Sequence, residues 1–312
     1  MNTIDFENAY YIKLGRGGKW VDSSIGQKKL RIGWSHQTIQ DINEGRWPEI
    51  LGQLQQESKD KGVTDKGVAT RDCNALRLIA ESGEQDIWIT FHSCRLWWGR
   101  LGKPGVFRDE ISKYRELIDD WSDNDKDGKP LLVSMIPGAI SQLQGFRGTA
   151  CRVKEVEQLR RLLNCQPSEA YLQIDHSRQA LVDAVEKGIR NLHWRDFEIL
   201  VDLVFTRSGW RRQTPVGETL KDVDMELVDP ITGDIYQVQV KAQAGLPEFK
   251  ECAARFDRDA CRRFYFVVHS PSPELAKHRP SEDEAVELFT PQRTAAMVVN
   301  LGLVDWLMAK IR

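Results

Sequence analysis

The sequence has no stretch approaching about 20 uncharged apolar residues, the length a membrane-spanning helix requires, so no membrane association is expected. It has no CxxC pair. Cys73, Cys94, Cys151, Cys165, Cys252 and Cys261 are scattered, which argues against a disulfide framework and a thiolate zinc site, and for a reduced, cytoplasmic setting. The six histidines include no HExxH and no tight cluster, which argues against a zinc hydrolase. The opening MNTIDFENAYYIKLGRGG has no apolar core before a small-residue site, so no secretory signal is expected. Charge of one sign is also missing. With 44 Lys+Arg against 46 Asp+Glu the net charge is −2. Residues 1–166 carry 25 basic against 23 acidic residues, and the remainder 19 against 23. Neither part has a basic tail, so nucleic-acid binding would need a local basic patch.

What is present is ordinary for a globular protein: 41% hydrophobic and 29% charged residues, in 312 positions that favour two domains. Seven of ten tryptophans lie in the first 121 residues. There AYYIKLG, LRIGW, DIWITF, LLVSMI and GTACRV are short runs rich in β-branched and aromatic residues, and read as strands. A helix beginning near Ala69 and a second at EVEQLRRLLN complete a small mixed α+β barrel. The polar DDWSDNDKDGK reads as an exposed loop. Near Pro167 the pattern changes to helix, strand pair, helix, strand, helix, the order of an α/β domain. The expected domains are therefore 1–166 and 167–312.

The most informative segment is KDVDMELVDPITGDIYQVQVKAQ, residues 221–243. Asp-Pro-Ile-Thr-Gly-Asp is a turn signal, and both flanks alternate apolar with polar residues, as the strands of a hairpin do. A hairpin centred between Ile231 and Thr232 puts Asp224 opposite Gln239, Asp222 opposite Lys241 and Glu226 opposite Gln237, with facing Cβ atoms roughly 5 Å apart. Such a face is either a solvated one with cross-strand pairs or, between helices, a buried cluster that must be paired or bind metal.

This constellation resembles the PD-(D/E)xK nuclease superfamily in its Mrr-like restriction-endonuclease branch. The matching residues are Phe197-Glu198 in WRDFEILVDLVF, Asp224 in KDVDMEL, and Gln239-Val240-Lys241 in YQVQVKA, over roughly residues 190–312. Gln239 stands where the superfamily usually has a second acid, which is the norm within that branch. The resemblance implies a restriction-endonuclease-like α/β domain that hydrolyses phosphodiester bonds with Mg²⁺, or Mn²⁺ in its place. Asp224 and Glu198 would be metal ligands, with the Val240 carbonyl as a third donor. Lys241 would position the attacking water and stabilise transition-state charge. Gln239 would orient the water or bind metal weakly, and Asp222 is an auxiliary acid or a salt-bridge partner of Lys241.

In the first half, DIWITFHSCRLWWGRL reads as two strands about a turn at His92 to Arg95, with Trp88, Thr90 and His92 on one mixed face. Such a face is either core packing or the aromatic wall that an unstacked base requires. AYYIKLGRGGKW, LRIGW, GVATRDCNALR, DIWITFHSCRLWW and QGFRGTACRV resemble, in order, the PUA-like, EVE-related domains fused to Mrr-like nucleases. That resemblance implies a reader of modified bases. Trp34, Trp88 and Trp98 are the cage candidates. Asp72 and Asn74 would contact a base edge, or one of them caps a helix. Arg16, Lys19 and Arg147 would contact phosphate, or are plain surface. Together these readings give the expectation of a modification-dependent restriction endonuclease used in phage defence. It would act on DNA carrying modified bases, as a homodimer or higher oligomer for double-strand cleavage. A non-cleaving binding module and an RNA-directed nuclease are the alternatives.

Overall fold

The computed structural model describes residues 3–65, 67–213, 223–257, 259–281 and 285–312. The chain divides into two compact units, residues 1–168 and 169–312. Both are mixed α/β, and among the described residues no helix is long and apolar enough to cross a membrane.

The first unit opens with β1 (Asn8–Ile12), α1 (Val21–Gly26), β2 (Lys29–Ile32), α2 (Ile39–Asn43), α3 (Trp47–Asp60) and α4 (Gly67–Glu81). It continues through β3 (Asp86–His92), β4 (Arg95–Arg100), β5 (Phe107–Arg108), β6 (Lys113–Glu116), α5 (Gly138–Ser141), β7 (Ala150–Arg152) and α6 (Val156–Leu163). Two sheets result, ordered β4-β3-β1-β7 and β2-β6-β5. Isolated bridges, Leu101 with Leu117 and Trp98 with Ser122, extend the pairing beyond these strands. The larger sheet is covered on both faces. Along β1, Tyr10 and Ile12 join one apolar cluster while Ala9 and Tyr11 join another. Strand alternation therefore feeds two cores at once.

Two expectations change here. LLVSMI forms a 3₁₀ turn at Val133–Met135, not a strand. Short apolar runs are ambiguous in period, and Pro137 follows at once. Helix α4 starts at Gly67, so Asp72 and Asn74 sit inside it and cap nothing. Asp65 holds its first turn, accepting the Gly67 N–H at 2.8 Å.

The second unit contains α7 (Glu169–Arg190), α8 (Trp194–Arg207), β8 (Arg211–Arg212), β9 (Met225–Val228), β10 (Ile235–Ala244) and α9 (Leu246–Arg255). It ends with β11 (Arg263–Pro271), α10 (Pro273–Lys277), β12 (Val286–Phe289), α11 (Pro291–Asn300) and α12 (Val304–Lys310). Its five-stranded sheet runs β12-β11-β10-β9-β8, with β10 parallel to β11 and antiparallel to β9. Phe197, Leu200, Val201 and Val204 bury one stripe of α8 at three- and four-residue spacing, packed with Val238 and Val240. Gly209, at φ 96°, follows the helix in the left-handed region. On the other face Phe249 of α9 and Leu275 of α10 pack against Phe264, Phe266 and Val268.

Candidate functional site

The β9–β10 hairpin has the expected register: Glu226 faces Gln237 and Met225 faces Val238. Its turn is fixed locally. Asp229 Oδ1 accepts the N–H groups of Ile231 and Thr232 at 2.7 and 3.1 Å, and Gly233 takes φ 76°. Asp224 follows at the mouth of the hairpin. Its backbone N–H donates to the Val238 carbonyl at 3.1 Å.

The Asp224 carboxylate is held by two donors on β10. Gln239 Nε2 donates to Oδ2 at 2.5 Å and the Val240 N–H donates to the same oxygen at 2.6 Å. Oδ1 accepts no hydrogen bond among the described residues. Gln239 is only 7% exposed, and its amide N–H is committed to Asp224. In this structure its amide nitrogen orients a carboxylate. In an extended strand a residue's N–H and C=O point to the same edge, so the Val240 carbonyl is directed to the edge where Asp224 lies.

Electrostatics join Glu198 to this group. Burial and the negative charge of Asp224 push its pKa up, opposed by Arg195 and Arg212. Burial likewise raises Asp224, opposed by the Val240 N–H, Lys241 and Arg212. Two carboxylates that are each reluctant to ionise favour a nearby cation. Lys241, half-buried, makes an ion pair at 3.4 Å with Glu248 of α9, an acid that the hairpin pattern did not reveal. Its expected partner Asp222 lies outside the described residues. Arg212 donates to Asp202 at 3.1 Å beside the Asp224 carbonyl.

Among the described residues no group of three or more His, Cys, Asp or Glu could hold a metal ion. Asp224, Glu198 and the Val240 carbonyl do offer hard oxygen donors of the kind Mg²⁺ takes. Mg²⁺ is ordinarily held by one or two carboxylates plus water and substrate phosphates, so this donor set fits it.

In the first unit, five of the eight expected reader residues converge. Arg16, Lys19, Trp34, Asp72 and Arg147 line one cleft of about 700 Å³, together with Lys13, Trp20 and Lys61. Five cations against one carboxylate make a local basic patch in a chain of net charge −2. Lys13, Arg16, Lys19 and Arg147 make no ion pair among the described residues. Trp20 was not expected, though its glycine neighbours signal it. Gly15, at φ 83°, would bring a Cβ to 2.8 Å from the Trp20 ring, and Lys19 Nζ lies 4.4 Å from that ring's centre. Trp34 has φ 57°, rare for a bulky residue, and its carbonyl is held by the buried Lys113 ammonium.

The other three residues are elsewhere. Trp88 is 0% exposed and its indole N–H donates to Ser82 Oγ at 3.0 Å. It is core and cannot wall a base pocket, because the sheet it belongs to is covered on both faces. Trp98 lines a separate cleft with Asp119, Asp120, Asp123 and Asp125, and its indole N–H is held by the Asn124 carbonyl at 2.8 Å. Asn74 is exposed and does not line the Trp34 cleft. Comparison with protein-family models, with curated proteins and with solved structures returns no match for this chain.

Proposed function

We propose that the chain is a metal-dependent endonuclease that cuts DNA, with the second unit as a restriction-endonuclease-like hydrolase and the first as a PUA-like reader of modified bases. The observation that carries this reading is the hairpin mouth, where Gln239 and Val240 fix Asp224, and Glu198 shares its field. Phosphodiester hydrolysis needs a nucleophilic water near neutral pH and compensation of charge growing on phosphorus. A Mg²⁺ ion, when bound, supplies both by polarising the phosphate and lowering the pKa of water. Asp224 and Glu198 would hold it, with the Val240 carbonyl completing the protein's share. Gln239 keeps the Asp224 carboxylate aimed. Lys241 leaves Glu248 to donate to a phosphate oxygen, bringing positive charge where negative charge develops. Arg212 offsets the charge of the two carboxylates.

The test is cleavage of a panel of plain, methylated and hydroxymethylated DNA and RNA with Mg²⁺, with Mn²⁺ and with excess chelator. Cutting of modified DNA that stops with chelator is the expected result. Undiminished cutting in chelator removes the metal-dependent reading, and cutting of RNA alone removes DNA as the substrate.

A further inference from the structure

The cleft of the first unit holds one carboxylate among its cations, and that carboxylate is unused. Asp72 projects from the second turn of α4 and is half-buried. Its carboxylate makes no hydrogen bond and no ion pair among the described residues, although Arg16, Lys19 and Arg147 line the same cleft. A carboxylate that no protein donor occupies at the wall of a cleft can accept from a ligand there. Phosphate cannot be that ligand at Asp72, since like charges repel. The cations of the rim suit phosphate; the acid suits a group that donates.

We propose, resting on the reading of this unit as a nucleic-acid reader, that the cleft takes one unstacked base bearing an exocyclic amino group, whose N–H donates to Asp72. Trp34 and Trp20 supply aromatic surface that any base can stack on, and so carry no choice among bases. Arg16, Lys19 and Arg147 take the flanking phosphates, which are common to all sequences. Choice therefore falls first to the charged acceptor of the cleft, Asp72. Cytosine, adenine and guanine each present an amino group. Thymine and uracil present a single ring N–H between two carbonyl oxygens, which would face the carboxylate oxygens. 5-Methylcytosine and N6-methyladenine each keep an amino N–H and stay on the favoured side. Burial of Asp72, aided by the nearby charge of Glu57 and opposed by Arg71 and Lys61, raises its pKa, which strengthens its demand for a donor.

The experiment measures binding of the full chain, in chelator, to short single-stranded oligonucleotides of abasic spacers with one central base: cytosine, 5-methylcytosine, adenine, N6-methyladenine, guanine or thymine. The amino-bearing probes are expected to bind roughly tenfold or more tightly than the thymine probe. Asp72→Ala should bring that ratio near one by weakening binding of the amino-bearing probes. Arg147→Ala should weaken every probe alike. Equal binding of all probes by the wild type, or a preference for thymine, overturns the amino-group inference and leaves the reader intact. Failure to bind any probe, or longer modified DNA, overturns the reader itself. The wild-type series decides the matter even where Asp72→Ala fails to fold.

Discussion

The cleft of the first unit and the hairpin mouth of the second use carboxylates in opposite ways. At the hairpin the polar side chains satisfy one another before any ligand arrives: Gln239 and Val240 hold Asp224, Glu248 holds Lys241, and Asp202 holds Arg212. In the cleft they do not. Asp72, Arg16 and Arg147 line one space without pairing among the described residues. A site for chemistry must hold its groups close to their working geometry, whereas a site that reads a ligand keeps donors and acceptors open for it. The difference accords with the proposed division of work, in which the second unit would cut and the first would read.

The sharpest break of this comparison is at the hairpin. Asp224→Ala and Lys241→Ala should each lower cleavage by about 10²–10³-fold or more, with folding and nucleic-acid affinity retained. Steady-state cleavage and binding assays on each variant check it. Wild-type cutting by either variant would move the chemistry elsewhere. Gln239→Leu, which removes the amide that aims Asp224, should be milder, lowering the rate and raising the Mg²⁺ concentration required.

Next in size is a contrast between tryptophans. Trp88→Ala should destabilise the first unit by about 3–5 kcal/mol, the usual cost of emptying a large core site. Trp34→Ala, at a residue only partly buried against that core, should lower the melting temperature much less and cost about 1–3 kcal/mol of base binding. Thermal melts beside binding titrations separate the two. If Trp34→Ala unfolds the unit and Trp88→Ala does not, the assignment of core and cleft is reversed.

The tryptophans also show where sequence reasoning reaches its limit. The hairpin register could be read because DPITGD fixes the turn and a period of two fixes the faces, so Asp224 and Gln239 had to meet. The same alternation told that Trp88 shares a face with Thr90, but not that helices cover that face too. Coverage is a tertiary property with no period in the sequence. Glu248 and Trp20 went unseen for a related reason. Glu248 reaches Lys241 from the following helix, and Trp20 is selected by Gly15 and Gly33 from separate segments. Helix α7 begins at Glu169, well before its first buried residue, Val182, so burial does not mark its start.

The smallest expected effect sets two carboxylates of the first unit against each other through pH. Asp109 is held by Arg31 and Lys29 and by the N–H groups of Ile111 and Ser112, which keep its pKa well below the ordinary carboxylate range. A depressed folded value means stability present above the unfolded value and lost as pH falls through the folded one. Asp109→Asn should therefore be less stable than wild type at neutral pH, and the two should converge in acid. Asp72 is the mirror image. Its folded value is raised, first by burial, so its contribution is unfavourable once it ionises. Below the ordinary carboxylate value the proton is bound in both states and nothing is lost. As pH rises through the raised folded value, the uncompensated charge costs stability, and because the carboxylate still meets solvent the cost is small. Asp72→Asn should thus be slightly more stable than wild type at neutral pH, with the gain vanishing in acid. Urea midpoints of both variants across the acid-to-neutral range check this. Parallel curves for the two would mean that Asp72 is as well paired in solution as Asp109, and the contrast between an open acceptor and a satisfied one would fall.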